Sequence, residues 1–345
     1  MRLPILARNL FPVATLFVAA GVLSAAQLDV LDIPGKTLKD NPLGDPPARH
    51  LAVFKPDNAK DDAPLPLVIY LPGWGSSCED VIPDGGKAWF GKVVDQLAPS
   101  NPVRIAVVDA RSRYGGSQYL NSTATGQYAD YITEEILPTL TAKYTSPSFG
   151  ASPVIAGHSS GGYGALILAI RQHEKFNSVV ALSPDSNFDI THRPLVDQPS
   201  VKAVTRAALD AAMGPAKEFR LPKDGIARLV MGLCANYVPI ADKPGKFEWL
   251  YDDKGQWQND VWKKWLDLDP LMIVRRNDDA FTATQRIYLD GAEQDEFGAN
   301  IGAKKIFMEL RNRSSSCRFY QPPGHHGDNL PDRLARGLIF VLGRE

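Results

Sequence analysis

Seven short apolar runs punctuate the chain: LAVFKP (51–56), LPLVIYLP (65–72), VRIAVVDA (103–110), PVIAGHS (153–159), SVVALSP (178–184), QRIYLDG (285–291) and CRFYQPP (317–323). Several are apolar at successive rather than alternate positions, the pattern of strands buried on both faces of a parallel sheet. Between them, residues 128–144, 162–176, 300–313 and 330–343 repeat apolar side chains at helical spacing. This alternation predicts an α/β fold with a mostly parallel central sheet and helices on both faces. One interval breaks the rhythm. Residues 185–277 are irregular, with helical pieces at 200–213 and 261–276 and four tryptophans, Trp249, Trp257, Trp262 and Trp265. A connection of that length is expected to form a cap-like insertion at the sheet's edge. Trp262 and Trp265, at helical spacing, are expected to pack in it as hydrophobic anchors rather than line a groove.

The N-terminus places Arg2 and Arg8 before an apolar stretch from Leu10 to Leu23 and closes on Ser24-Ala25-Ala26. That order predicts a secretory signal peptide, residues 1–26, removed after Ala26. The apolar stretch is shorter than the roughly 20 residues a membrane span needs, and Pro12 interrupts it. The mature chain, 27–345, is therefore expected to be a secreted or periplasmic single α/β domain carrying the insertion, without stable membrane insertion. With 38 basic against 39 acidic residues and no long run of one sign, nothing recommends a nucleic-acid partner. The three cysteines, Cys78, Cys234 and Cys317, allow at most one internal disulfide and show no metal-ligand spacing. No metal or organic cofactor is expected.

Chemistry concentrates around VIAGHSSGGYGALIL, 154–168. Gly157, Ser159 and Gly161 fit G-x-S-x-G, and centring the motif on Ser160 would put His158 where glycine is required. A serine on a sharp strand-to-helix turn is pushed out of the sheet in a strained conformation, and bulky neighbours two places away would collide with strand or helix. Here an apolar strand run precedes the motif and a small-residue helix follows. Ser159 is thus the candidate nucleophile. A serine hydroxyl needs a histidine to take its proton and a carboxylate to orient that histidine, in the chain order Ser, acid, His. Of six histidines, only His325 and His326, in YQPPGHHGDN, lie far enough downstream. The acid is expected in YLDGAEQDEFGAN; Asp295 lies in the loop proper and is preferred, while Asp290, at the strand end, could cap the turn and is the backup. Two backbone N–H groups should hold the oxyanion: that of Ser160, directly after the nucleophile, and that of Trp74, in the Gly73-Trp74-Gly75 bend after an earlier strand.

The segments LPGWGSS, GHSSGGYGAL, LSPDSNF, YLDGAEQDEFGAN and PGHH occur in the order seen in the esterase D-like branch of the α/β hydrolases, and the chain resembles that branch from about Leu65 to its end, the insertion excepted. The branch includes S-formylglutathione hydrolases, feruloyl and acetyl esterases, and mycolyltransferases. The resemblance implies an α/β-hydrolase fold with the insertion between the nucleophile and acid strands. It also implies a triad of Ser159, Asp295 and His325, the last directly after Gly324, with Trp74 and Ser160 as oxyanion donors. The chain departs from many members by Pro72-Gly73 in place of His-Gly and by serine at position 160. The activity implied is hydrolysis of a carboxylic ester, small or polysaccharide-linked, through an acyl-enzyme. The same apparatus would serve acyl transfer or peptide hydrolysis. A non-catalytic binding module on this scaffold would be expected to have lost a triad member, and all three have candidates here.

Overall fold

The computed structural model describes residues 26–146, 152–214, 219–277, 279–281, 285–311 and 316–343, so the expected signal peptide lies outside the described residues except for Ala26. Eight strands form one sheet: β1 (Gln27–Ile33), β2 (Arg49–Lys55), β3 (Leu67–Leu71), β4 (Arg104–Val108), β5 (Val154–His158), β6 (Ser178–Leu182), β7 (Arg286–Asp290) and β8 (Cys317–Tyr320), in the order β1-β2-β4-β3-β5-β6-β7-β8. β2 runs antiparallel to β1 and β4, and every other neighbouring pair is parallel. The helices that matter below are α1 (Trp89–Leu97), α2 (Ser160–Arg171), α3 (Gly225–Tyr237), α4 (Asn259–Leu266), α5 (Ala299–Leu310) and α6 (Leu330–Val341).

The central strands are buried on both faces, and their two-residue period sorts them into two cores. On one side Ile69, Leu71, Ile155, Val179 and Leu289 pack with α2, α5 and the helical stretch 128–143. On the other, Val68, Tyr70, Ala156, Val180 and Tyr288 pack with α1 and α6. This is the α/β-hydrolase arrangement, in which the parallel strands carry their C-terminal ends, and whatever follows them, to one rim.

Three of these labelled elements lie outside the expected set. β1 falls at the head of the Asp-rich lead, α1 in a segment broken by Pro and Gly, and α3 inside the insertion. Between β6 and β7 the chain builds a mainly helical layer with its own core: Trp249, Trp262 and Trp265 are buried there beside Phe188, Met231 and Cys234. Trp257 is half-buried, with the Arg193 guanidinium 4.0 Å above its ring. Trp262 and Trp265 are packing groups, as their spacing predicted. This core joins Tyr163 and Ile167 of α2, so the insertion sits over the helix that follows the candidate nucleophile. All three cysteines are free thiols. No helix among the described residues is long and apolar enough to cross a membrane.

Candidate active site

Ser159 links β5 to α2 with φ 57° and ψ −122°, a left-handed conformation that costs a non-glycine residue about 1–3 kcal/mol. The surroundings enforce it. Its N–H donates to Leu182 O on β6 (2.9 Å), and its carbonyl accepts from Tyr163 and Asp185 amides. The flanking glycines are required by contact rather than by torsion. A Cβ on Gly161 would sit 1.8 Å from Leu71 O, and one on Gly157 would sit 2.2 Å from Gly161 O. The sequence motif is therefore a three-way backbone crossing of β3, β5 and α2 that leaves the serine side chain facing outward.

Outward here means into a cavity of about 360 Å³, lined by Gly73, Trp74, His158, Ser159, Ser160 and His326 on the sheet side. The insertion closes it with Leu195, Leu229 and Leu233, and Phe297 forms another wall. The amides of Trp74 and Ser160 have no intramolecular hydrogen bond among the described residues. Ser160 begins α2, whose first N–H groups lack partners within the helix and carry its positive dipole end. Trp74 is held by a close fit. Its indole packs so tightly against Gly115, Gly116 and Gly232 that a Cβ at any of them would lie 2.5–2.7 Å from a ring atom. Gly232 belongs to α3, so the insertion itself fixes the bend after β3.

The acid and histidine come from the loops after β7 and β8. Asp295, with a fully buried side chain, accepts the Phe297 and Ala299 amides on Oδ1 (3.1 and 3.2 Å) and His326 Nδ1 on Oδ2 (2.8 Å). Burial would raise its pKa, but the His326 hydrogen bond and charge, with Ser183 and the Ala299 amide, outweigh it and hold the carboxyl below its ordinary range. An ionised carboxylate only accepts, so His326 Nδ1 carries the hydrogen and Nε2 is left free to accept.

The structure brings His326, rather than the expected His325, to the serine's cavity. His325 has a side chain 62% exposed, with Nδ1 3.8 Å from Glu296, and its ring does not line the cavity. Four groups set the turn. Asp328 accepts the His325 amide (2.8 Å), Glu296 accepts the His326 amide (3.1 Å), and the His326 carbonyl accepts from His158 Nε2 and Arg333 Nη1, both at 3.0 Å. Together they turn the second histidine inward, against Phe297 and His158 at ring separations of 4.8 and 4.6 Å. His158 donates to a carbonyl and stays neutral: burial first, then the neighbouring His326 and Arg333, lower its pKa to about 3.

Asp290, the backup acid, is occupied elsewhere. It is fully buried and gripped by Arg333 through Nε–Oδ2 (2.9 Å) and Nη2–Oδ1 (2.8 Å), while the Ser183 amide donates to Oδ1 (3.0 Å). Two residues of the site went unread in the sequence. Arg333 sits on a helix face with no local signal, whereas Asp185, which also lines the cavity, stood in plain view in LSPDS after β6. Among the described residues no three His, Cys, Asp or Glu groups come together to hold a metal ion.

A serine on a strained elbow, an Asp–His pair at the same rim and two open backbone amides, on this sheet, belong to a serine hydrolase of the α/β-hydrolase fold. The chain belongs to the putative esterase family, whose model matches residues 47–329, and it is a carboxylic ester hydrolase. Solved structures with the same fold include a ferulic acid esterase (17% identity, 92% of this chain and 97% of that one, TM-score 0.56). Two others are the fluorophosphonate-binding serine hydrolase FphF of Staphylococcus aureus (15%, 92% and 98%, 0.57) and an S-formylglutathione hydrolase from Agrobacterium tumefaciens (17%, 92% and 97%, 0.55).

Proposed function

We propose that the protein is an exported carboxylesterase that works through an acyl-enzyme on Ser159, with His326 as base and Asp295 as its orienting acid. The observation that carries this reading is the Asp295–His326 pair, 2.8 Å apart, on the cavity into which the strained Ser159 faces. In the first half-reaction Ser159 Oγ attacks the ester carbonyl while His326 Nε2 takes its proton. The negative charge that develops on the carbonyl oxygen is met by the Trp74 and Ser160 amides, each such donor contributing about 10²–10³ in rate. His326 then returns the proton to the leaving alcohol. Water repeats the sequence on the acyl-enzyme, releasing the acid and restoring Ser159. Throughout, Asp295 holds the tautomer and the positive charge that His326 gains.

Export is part of the proposal and rests on the basic, apolar, small-residue order of residues 1–26. Removal after Ala26 would leave Gln27, the first residue of β1, at the new terminus.

A fluorophosphonate probe tests the reading, because it reacts with activated serines. Incubation should abolish p-nitrophenyl acetate hydrolysis in proportion to a single adduct on the peptide holding Ser159. Full modification of Ser159 with hydrolysis intact, or an adduct on another serine that tracks the loss, would overturn it.

A further inference from the structure

The cavity contains a charge that the ester chemistry does not use. Asp185, at the loop after β6, is half-buried among otherwise largely apolar walls, Trp74, Leu195, Leu229, Leu233 and Phe297. Its Oδ2 accepts from Ser160 Oγ (3.0 Å) and from Gln118 Nε2 (3.3 Å). Gln118 in turn is fully buried and donates to Tyr237 Oη (2.6 Å), so the carboxylate is fixed from behind. Oδ1 has no partner, and no lysine or arginine lies within ion-pair distance, among the described residues. His192, which also lines the wall, is held toward its neutral form, since burial lowers its pKa and outweighs the raising effect of Asp185.

An unpaired carboxylate in an apolar cleft is costly, and this one stands beside the residue whose amide meets the oxyanion. Negative charge there opposes the charge that develops during attack. Both costs disappear when a cation occupies the cleft. Trp74 and Phe297 add aromatic surface suited to a cation with alkyl substituents.

We infer that Asp185 is a specificity-determining residue that selects esters carrying a protonated amine a few bonds from the scissile carbonyl. The inference rests on the esterase reading above. The amine's N–H donates to Asp185 Oδ1 while the carbonyl lies over Ser159, so binding the cation and neutralising the site occur together.

An isosteric series of acetates separates charge from shape. 2-(Dimethylamino)ethyl acetate, protonated at neutral pH, matches 3-methylbutyl acetate in outline. 3-Hydroxy-3-methylbutyl acetate offers a neutral donor, and acetylcholine a cation without N–H. The wild-type protein should favour the protonated amine over its carbon isostere in kcat/KM by roughly ten- to hundredfold, the scale of a hydrogen bond to a charged group. The order should be protonated amine, then acetylcholine, then the two neutral esters. In Asp185→Asn, which keeps an acceptor for Ser160, the ratio of amine to isostere should fall to about one. That ratio is insensitive to any general damage, because a disturbed Ser160 lowers both esters alike. Equal turnover of the series by wild type, a hydroxyl ester preferred over the amine, or a preference that survives in Asp185→Asn would overturn the inference while leaving the esterase reading standing. Failure of the wild type to hydrolyse any of these esters or p-nitrophenyl acetate would instead overturn both.

Discussion

Replacing His326 by alanine is expected to lower kcat/KM for p-nitrophenyl acetate by roughly 10³- to 10⁶-fold, the range found when a histidine base is removed from a serine triad. Replacing His325 is expected to change it by no more than about twofold, as for an ordinary exposed position. The two residues are neighbours in sequence, so the pair of variants isolates orientation from everything else. His326 donates Nδ1–H to the buried Asp295 and borders the Ser159 cavity, whereas the His325 ring points to solvent beside Glu296. Circular dichroism should show both variants folded, because His326 adds a few contacts to a loop held mainly by its backbone. A severe loss in His325→Ala with near-normal activity in His326→Ala would mean that the turn carries the other histidine inward in solution. Addition of imidazole gives a second readout. It should restore part of the activity of His326→Ala, where a ring-shaped space opens beside Asp295, and do nothing for His325→Ala.

What the sequence made legible follows from the range of the interactions involved. The central strands announce themselves because a strand buried on both faces must be apolar at every position, and LVIYL of β3 is fully buried along its length. β1 carries no such signature: as an edge strand with one neighbour it alternates Leu28, Val30 and Leu31 with Asp29 and Asp32, and most of its side chains stay partly or wholly exposed. α1 was hidden because its start is packed against a Gly-rich turn, where local composition reads as loop. The candidate nucleophile is a local feature, for the two glycines that identify it touch the backbone within one crossing. Asp295 was a local candidate too, one of three acidic residues in the loop before a helix, beside Glu293 and Glu296. The choice between His325 and His326 was not. Their distances in sequence to every other landmark differ by one residue, and the decision is made by Asp328 of the same turn, by Arg333 of the helix that follows, and by the distant Glu296 and His158. The insertion's contribution was opaque in detail, because Leu229 and Leu233 face the cavity only once α3 has folded back over Trp74.

Arg333→Met is expected to destabilise the protein by about 3–5 kcal/mol, the cost of leaving a buried carboxylate without its partner. The side chain of Arg333 is 2% exposed and that of Asp290 is fully buried, so water cannot solvate the charge left behind. Beyond the two contacts to Asp290, the same guanidinium donates to Ser183 Oγ (2.7 Å) and to the carbonyls of His326 (3.0 Å) and Asp328 (3.1 Å). It therefore ties the end of β7 to the loop that presents His326. Removing both charges separates the two roles. Arg333→Met/Asp290→Leu should recover much of the stability in urea denaturation, since no unpaired charge remains, yet kcat should stay low because the His326 carbonyl keeps only one of its two donors, His158. Arg333→Lys keeps the positive charge but loses the planar fork, so its stability should lie between those of wild type and Arg333→Met. A double variant that is as unstable as the single one would show that the stability comes from the loop carbonyls rather than from the ion pair. A double variant with full kcat would show that His158 alone suffices to hold His326 in place.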